Sequence, residues 1–292
     1  MIPASFEFIR PTTLAEALAL LEKNPDAKIL AGGHSLIPMM RFRVATPSML
    51  IDLNQIGSLS HLQENGDSLR IGAMTREAVV ERSDIVKKRY PLLFDTARVV
   101  ADPIVRNLAT IGGNLAHADP ANDHPATVLA YKAQLVATSP RGERVIAAAD
   151  FFKDAFTTAL SDDEILTEIR IPKPSGRSGG AYFKLERKVG DYATAAVAAQ
   201  IALDGNGRVV SAGIGLTNVG LTPIQATAAE ESLKGKSLDD GAVKEAAKLA
   251  SEAAEPIEDH RGSEEYKRHL VRTLTNRALN KAKQRAEGGG AA

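Results

Sequence analysis

Leu14, Leu18 and Leu21 recur at helical spacing through TLAEALALLEK, and Thr13 with Glu16 three residues on has the spacing of a capping box. A helix is therefore expected to start at Thr13 and stop near Asn24-Pro25. The next apolar run, Lys28-Ile29-Leu30-Ala31, reads as a buried strand that breaks into a tight turn at Gly32-Gly33-His34-Ser35. MLIDL (49–53) and LRIGA (69–73) are further short strands, and Thr75 with Arg76-Glu77 opens a helix. A second helical pattern covers Leu92 to Val100. After it, Ala109-Thr110-Ile111 leads into another glycine pair, Gly112-Gly113-Asn114.

The loop HADPANDHP (117–125) is followed by a helix over Ala126–Tyr131, a strand over Gln134–Thr138, a turn at Ser139–Gly142 and a strand over Arg144–Ala147. Ile165, Ile169 and Ile171 fall at even spacings in the strand Ile165–Pro172, so one face of its pleat is apolar. KPSGRSGG (173–180) has the Pro/Gly/Ser composition of a linker. Beyond it, AAQIAL and RVVSAGIGL flank Asp204-Gly205-Asn206-Gly207, a hairpin turn signal. The remainder, from about Ile224 to Glu287, is helical and Ala-rich. Lys267 to Arg285 carries seven Lys/Arg and no acid, whereas Glu252 to Glu265 holds six acids, either a charge-segregated solvated helix pair or a docking face. Strand and helix alternate, which points to an α/β or α+β architecture.

At roughly 100–200 residues per domain, 292 residues allow two domains. The division read here is 1–176, then 177–287, with 288–292 as a flexible tail. Thirty-six Lys+Arg balance thirty-six Asp+Glu, so no long-range field gathers nucleic acid or an anionic membrane. No stretch approaches the roughly 18 apolar residues of a membrane span, so membrane contact is at most peripheral. MIPASFEFIRP has no targeting pattern, and a cytoplasmic location is expected. The chain has no Cys, which excludes thiolate-ligated zinc or iron–sulfur clusters, disulfides and a nucleophilic thiol.

The two loops Ala31-Gly32-Gly33-His34-Ser35 and Thr110-Ile111-Gly112-Gly113-Asn114 match in composition: a strand end, two glycines, then a small polar side chain. Glycines let a backbone approach an anion and turn N–H groups toward it, and Thr, Ser and Asn add neutral donors. One such loop is usually only a turn; two suggest a cradle with two walls, suited to a diphosphate. Neither fits G-x-x-x-x-G-K-[ST] or G-x-G-x-x-G, which disfavours a P-loop or a standard Rossmann site. His117, Asp119, Asp123 and His124 form the other constellation, and a divalent metal with hydrolase chemistry is one reading of it. The other is a fixed turn in which Asn122 or Asp123 caps the following helix. Ser35 beside His34 lacks a G-x-S-x-G elbow to support a serine nucleophile.

A-G-G-H-S-L-I-P (31–38), A-D-P (101–103), T-I-G-G-N-L-A (110–116), E-I-L-T-E-I-R-I-P (164–172), Y-F-K-L (182–185) and R-K-V-G-D-Y-A-T-A-A (187–196) occur in that order. Together they resemble the FAD-binding medium subunit of molybdenum hydroxylases. G-D-Y-A-T-A-A and I-G-L-T-N-V lean toward the carbon monoxide dehydrogenase branch, with aldehyde, purine and N-heterocycle hydroxylases as the alternatives. The resemblance implies an α+β protein: a two-lobed FAD domain of the vanillyl-alcohol-oxidase type, then a smaller domain of antiparallel sheet and helices.

It also implies noncovalent FAD, with Ala31, Gly32, Gly33, His34, Ser35 and Leu36 facing Thr110, Ile111, Gly112, Gly113 and Asn114 across its pyrophosphate. Asp123 would hydrogen-bond the cofactor, Ala101 would contact it just before the second loop, Leu166 and Lys184 would approach the flavin, and Tyr192 would control access to the isoalloxazine. No side chain of the chain is expected to act as catalytic acid, base or nucleophile, and no metal is expected on it. The expected partners are a large subunit with the molybdenum–pterin cofactor and a small subunit with [2Fe–2S] clusters, in a dimer of heterotrimers.

Overall fold

The structure, a computed structural model, describes residues 1–288; the rest of the tail lies outside the described residues. The chain opens with β1 (Glu7–Ile9), α1 (Leu14–Lys23), β2 (Ala27–Leu30), α2 (Leu36–Arg41) and β3 (Met49–Asp52). It continues through β4 (Leu62–Asn65), β5 (Ser68–Gly72), α3 (Glu77–Arg82), α4 (Asp84–Arg89), α5 (Pro91–Val99), α6 (Pro103–Arg106), α7 (Ile111–His117) and α8 (His124–Ala130). Then come β6 (Gln134–Ser139), β7 (Gly142–Ala147), α9 (Ala148–Phe151), β8 (Phe152–Asp154), β9 (Thr157–Thr158) and β10 (Ile165–Pro172). The last part comprises β11 (Arg177–Glu186), β12 (Ala193–Leu203), β13 (Val209–Thr217), β14 (Ile224–Gln225), α10 (Thr227–Leu233), α11 (Asp240–Ala253) and α12 (Glu264–Ala286).

Three principal sheets result, and the α+β expectation holds. The first is parallel, in the order β1-β3-β2. The second is antiparallel, β4-β5-β10-β6-β7, and the third is antiparallel, β11-β12-β13-β14. Thr13 caps α1 in a reciprocal box with Glu16, and Leu18 and Leu21 turn inward, as the spacing requires. Among the described residues no helix is long and apolar enough to cross a membrane.

Several expectations need correction. The second glycine pair does not follow a strand; it lies inside α7, whose N-cap is Thr110, with the Thr110 hydroxyl accepting from the Gly113 N–H at 3.1 Å. The helix expected at Thr75-Arg76-Glu77 is α3, which starts after Arg76, with the Thr75 hydroxyl spent on the His61 carbonyl. The 173–180 segment is a linker only in its first half, because β11 begins at Arg177. Gly179 and Gly180 serve packing: a Cβ at Gly179 would lie 2.2 Å from the Ala282 carbonyl oxygen, so α12 can lie flat on the strand.

The basic run of α12 is paired on one side and solvated on the other, where Arg272 and Arg277 stay exposed. Lys267 pairs with Asp259 at 2.8 Å, Arg268 and Lys283 donate to main-chain carbonyls of other elements, and Arg285 pairs with Asp95 of α5 at 2.6 Å. The largest buried cluster runs from Leu69 and Ile71 through Leu92, Ile111, Leu135 and Ile169 to Tyr182, Ala193, Ala196 and Ala198, so it crosses from the second sheet into the third.

Candidate functional site

Between the first and second sheets the chain leaves a cleft of ≈ 640 Å³. Ala31, Gly32, Gly33, His34, Ser35 and Leu36 line it on one side, and Thr110, Gly112, Gly113 and Asn114 on the other. Ala101, Asp123, Leu166 and Tyr192 complete the set that the structure brings together. Two of the sequence candidates stand back from the lining. Ile111 is wholly buried in the core, and its N–H donates to the Thr75 carbonyl. Lys184 reaches the cleft only through Asp123, its ammonium 3.0 Å from Oδ2.

The two glycine segments differ in what they offer. At the start of α7 the Ile111, Gly112 and Gly113 N–H groups already donate, to the Thr75 and Ala73 carbonyls and the Thr110 hydroxyl. Gly112 is small for the sake of the protein: a Cβ there would lie 2.4 Å from the Ala73 Cβ. Ala73 in turn is fixed by its N–H donating to the carbonyl of Thr167, the extra residue of a bulge in β10. Along the first segment, no acceptor among the described residues pairs with the N–H groups from Gly32 to Leu36. Gly33 sits at φ +77°, which a residue with a side chain adopts only under strain. Across from this row, the buried Asn114 Oδ1 also lacks a partner. The cleft thus offers an acceptor-rich anionic group an unspent donor array in one wall and a capped helix start in the other.

Asp123 does not cap α8 with its side chain. Its carboxylate accepts from the Tyr182 hydroxyl at 2.6 Å and from Lys184, which also donates to the Val99 carbonyl at 2.9 Å and sits 3.2 Å from Glu186. Burial pushes the Asp123 carboxyl up from its ordinary range, against the pull of Lys184 and Tyr182. Asn122 turns the other way and donates to the Asn114 carbonyl at 2.9 Å. These bonds fix the loop between α7 and α8.

The metal reading fails on geometry. His124 Nε2 is taken by Glu77 at 2.7 Å with both side chains fully buried, Asp123 is held as described, and Asp119 accepts from the Ala121 N–H. Among the described residues no group of three or more His, Asp or Glu side chains converges on a common point. Burial lowers the His117 pKa, and its ring lies 5.2 Å from that of Phe156.

Burial opposes a charged His124, yet the Glu77 carboxylate raises its pKa above the ordinary 6.5. The imidazolium is thus favoured more in the folded chain than in the unfolded one. The pair contributes fully below about pH 6.5 and loses its contribution as pH rises through the higher folded value. Urea unfolding across that window is expected to show stability falling with pH, and Glu77→Gln is expected to flatten the slope. A slope unchanged by the substitution would assign it elsewhere.

Comparison with known proteins decides the family. Residues 4–174 match the model of the FAD binding domain in molybdopterin dehydrogenase, and residues 180–282 match that of the CO dehydrogenase flavoprotein C-terminal domain. The carbon monoxide dehydrogenase medium chain of Afipia carboxidovorans is 45% identical over 98% of this chain and 100% of its own length. The glyceraldehyde dehydrogenase medium chain of Sulfolobus acidocaldarius is 39% identical over 96% of this chain and 99% of its own. The structure of carbon monoxide dehydrogenase from Hydrogenophaga pseudoflava that lacks the Mo-pyranopterin moiety superposes with a TM-score of 0.95 at 46% identity, covering 98% of this chain and 99% of that one. The chain belongs to the family of FAD-binding medium subunits of molybdenum hydroxylases.

Within this family the chain is an oxidoreductase component that carries FAD, and its relatives are medium subunits of multi-subunit enzymes. The donor row at Gly32–Leu36 and the orphaned Asn114 oxygen fit such a cofactor. Sequence reading missed Arg261. Its guanidinium donates to the Tyr192 carbonyl at 3.0 Å and to Asp191 at 3.2 Å, so the connection between α11 and α12 holds the segment that carries Tyr192. The Arg261 guanidinium, ahead of Arg187, holds the Asp191 carboxyl at about 2. Tyr192 itself stays 46% exposed at the cleft.

Proposed function

We propose that the chain is the flavoprotein subunit of an aerobic carbon monoxide dehydrogenase, passing electrons from [2Fe–2S] clusters on a small subunit to an external acceptor. Substrate oxidation belongs to a large subunit with the molybdenum–pterin cofactor, and the assembly is a dimer of heterotrimers in the cytoplasm. The observation that carries the reading is near-identity of length and fold with carbon monoxide dehydrogenase medium chains, at 45% identity, around a cleft with an unspent donor row.

In this reading Gly32 to Leu36 receive the FAD pyrophosphate with Thr110, Gly112, Gly113 and Asn114 opposite. Ala101, Asp123 and Leu166 line the remainder of the cofactor's bed. Lys184 acts behind Asp123 by holding its carboxylate, and Tyr192 stands where it limits access to the flavin. FAD, when bound, supplies the redox chemistry; the side chains orient it and exclude water. An aldehyde, purine or N-heterocycle hydroxylase would use the same subunit, since this chain holds no substrate-oxidising centre.

Purified with its partner subunits, the protein is expected to be yellow, to release FAD on denaturation, and to lose its visible flavin absorption when carbon monoxide is added. Bleaching by an aldehyde or a purine, and not by carbon monoxide, would move the assignment within the family. A colourless complex retaining no FAD would overturn the flavin role.

A further inference from the structure

Asn54 and Arg76 lie outside the cleft lining, and neither belongs to the glycine segments, yet both end on them. Asn54 sits in a single 3-10 turn, Leu53–Gln55, where its N–H donates to the Asp52 carboxylate at 3.0 Å. Asp52 is itself nearly buried and paired with Arg10 at 2.8 Å, so the turn is anchored. The Asn54 side-chain amide donates to the Ala31 carbonyl at 3.0 Å, and its oxygen accepts from the Arg76 guanidinium. The same guanidinium donates to the Leu108 carbonyl. One amide and one guanidinium therefore run from the residue before Gly32 to the residue two before Thr110.

We infer that Asn54 and Arg76 form a tie that sets the spacing of the two walls of the FAD cradle and aims the backbone donors of the first. The inference rests on the flavin reading above. Four observations support it. The walls meet closely: a Cβ at Gly32 would lie 2.5 Å from the Leu108 oxygen and 2.7 Å from the Ala109 Cα, so the contact tolerates no slack. In a trans peptide the carbonyl and the following N–H point in opposite directions; holding the Ala31 carbonyl on the tie turns the Gly32 N–H away from it. That N–H heads the row from Gly32 to Leu36 that has no acceptor among the described residues. Apart from His34, the polar side chains of the two walls are Thr, Ser and Asn, and the Arg76 charge stands directly behind both. Arg76 also faces Thr110 through an antiparallel bridge, which places it at the base of the second wall.

The test uses the enzyme assembled with its partner subunits, stripped of flavin and titrated with FAD. Arg76→Gln and Asn54→Ala each remove one span of the tie, losing its hydrogen bonds and the geometry they hold. Each is expected to weaken the FAD Kd about tenfold, and to move the phosphorus NMR resonances of the bound pyrophosphate while leaving the flavin's visible band in place. Arg76→Lys keeps the charge but has no planar fork to reach both acceptors, so it should behave like Arg76→Gln. Asn54 is exposed, so its alanine variant opens no cavity and serves if the Arg76 variants fail to fold. Kd values within twofold of wild type with unmoved phosphorus resonances, or full recovery in Arg76→Lys, would overturn the tie. A wild-type complex that takes up no FAD overturns the flavin reading itself.

Discussion

Asp123→Ala is expected to lower the unfolding free energy by about 3 kcal/mol and to leave the purified subunit without flavin. Lys184 is almost completely buried, with 2% of its side chain exposed, and Asp123 is one of two carboxylates that compensate its charge. Deleting the carboxylate leaves the ammonium on Glu186 and the Val99 carbonyl and strands the Tyr182 hydroxyl without its acceptor. Removing one partner of a buried pair costs the desolvation of the other. Asp123→Asn keeps the shape and an acceptor for Tyr182, so it should recover part of the stability and little of the flavin binding. Urea denaturation with flavin quantitation separates the two; a loss below about 1 kcal/mol would mean that Glu186 alone satisfies Lys184.

Gly112→Ala is the second large effect. A Cβ at this position would stand 2.4 Å from the Ala73 Cβ, 2.5 Å from its carbonyl oxygen and 2.7 Å from its Cα. Neither side can withdraw, because the Ala73 carbonyl accepts the Gly112 N–H and the Ala73 N–H is spent on Thr167. Overpacking against fixed backbone is expected to cost about 3 kcal/mol or more, read as a fall in thermal midpoint or a loss of soluble protein. Gly33→Ala makes the contrast. Its Cβ would meet the movable end of the Ile37 side chain at 2.8 Å, and the φ of +77° costs about 1–2 kcal/mol. That variant should fold and bind flavin weakly. A Gly112→Ala chain as stable as Gly33→Ala would show that α7 can slide on Ala73.

The elements nearest to local rules were legible. The Thr13 box, the strand ending at Leu30 and the strand Ile165–Pro172 follow from spacing alone. The second glycine pair reads as a strand end because Thr110-x-x-Gly113 lacks the acidic third position that marks a helix start, although the hydroxyl does the capping. HADPANDH held four side chains capable of binding metal, and only tertiary structure shows them diverging. Asn54, Arg76 and Arg261 gave no signal. The partners that tie them to the cleft are main-chain carbonyls and side chains 22 to 70 residues away, and a carbonyl leaves no mark in sequence.

The buried cluster that continues from Leu135 and Ile169 into Tyr182, Ala193, Ala196 and Ala198 bears on how such subunits can be rearranged. A fragment ending near residue 176 would carry the whole glycine cradle, yet it would surrender the strands that cover its apolar floor, the Tyr182 and Lys184 partners of Asp123 and the Arg261 clamp. The flavin half is therefore not a portable cassette: grafting it onto another enzyme requires moving its C-terminal companion with it, and gene fusions or chimaeras tolerate junctions outside this pair far better than between its members.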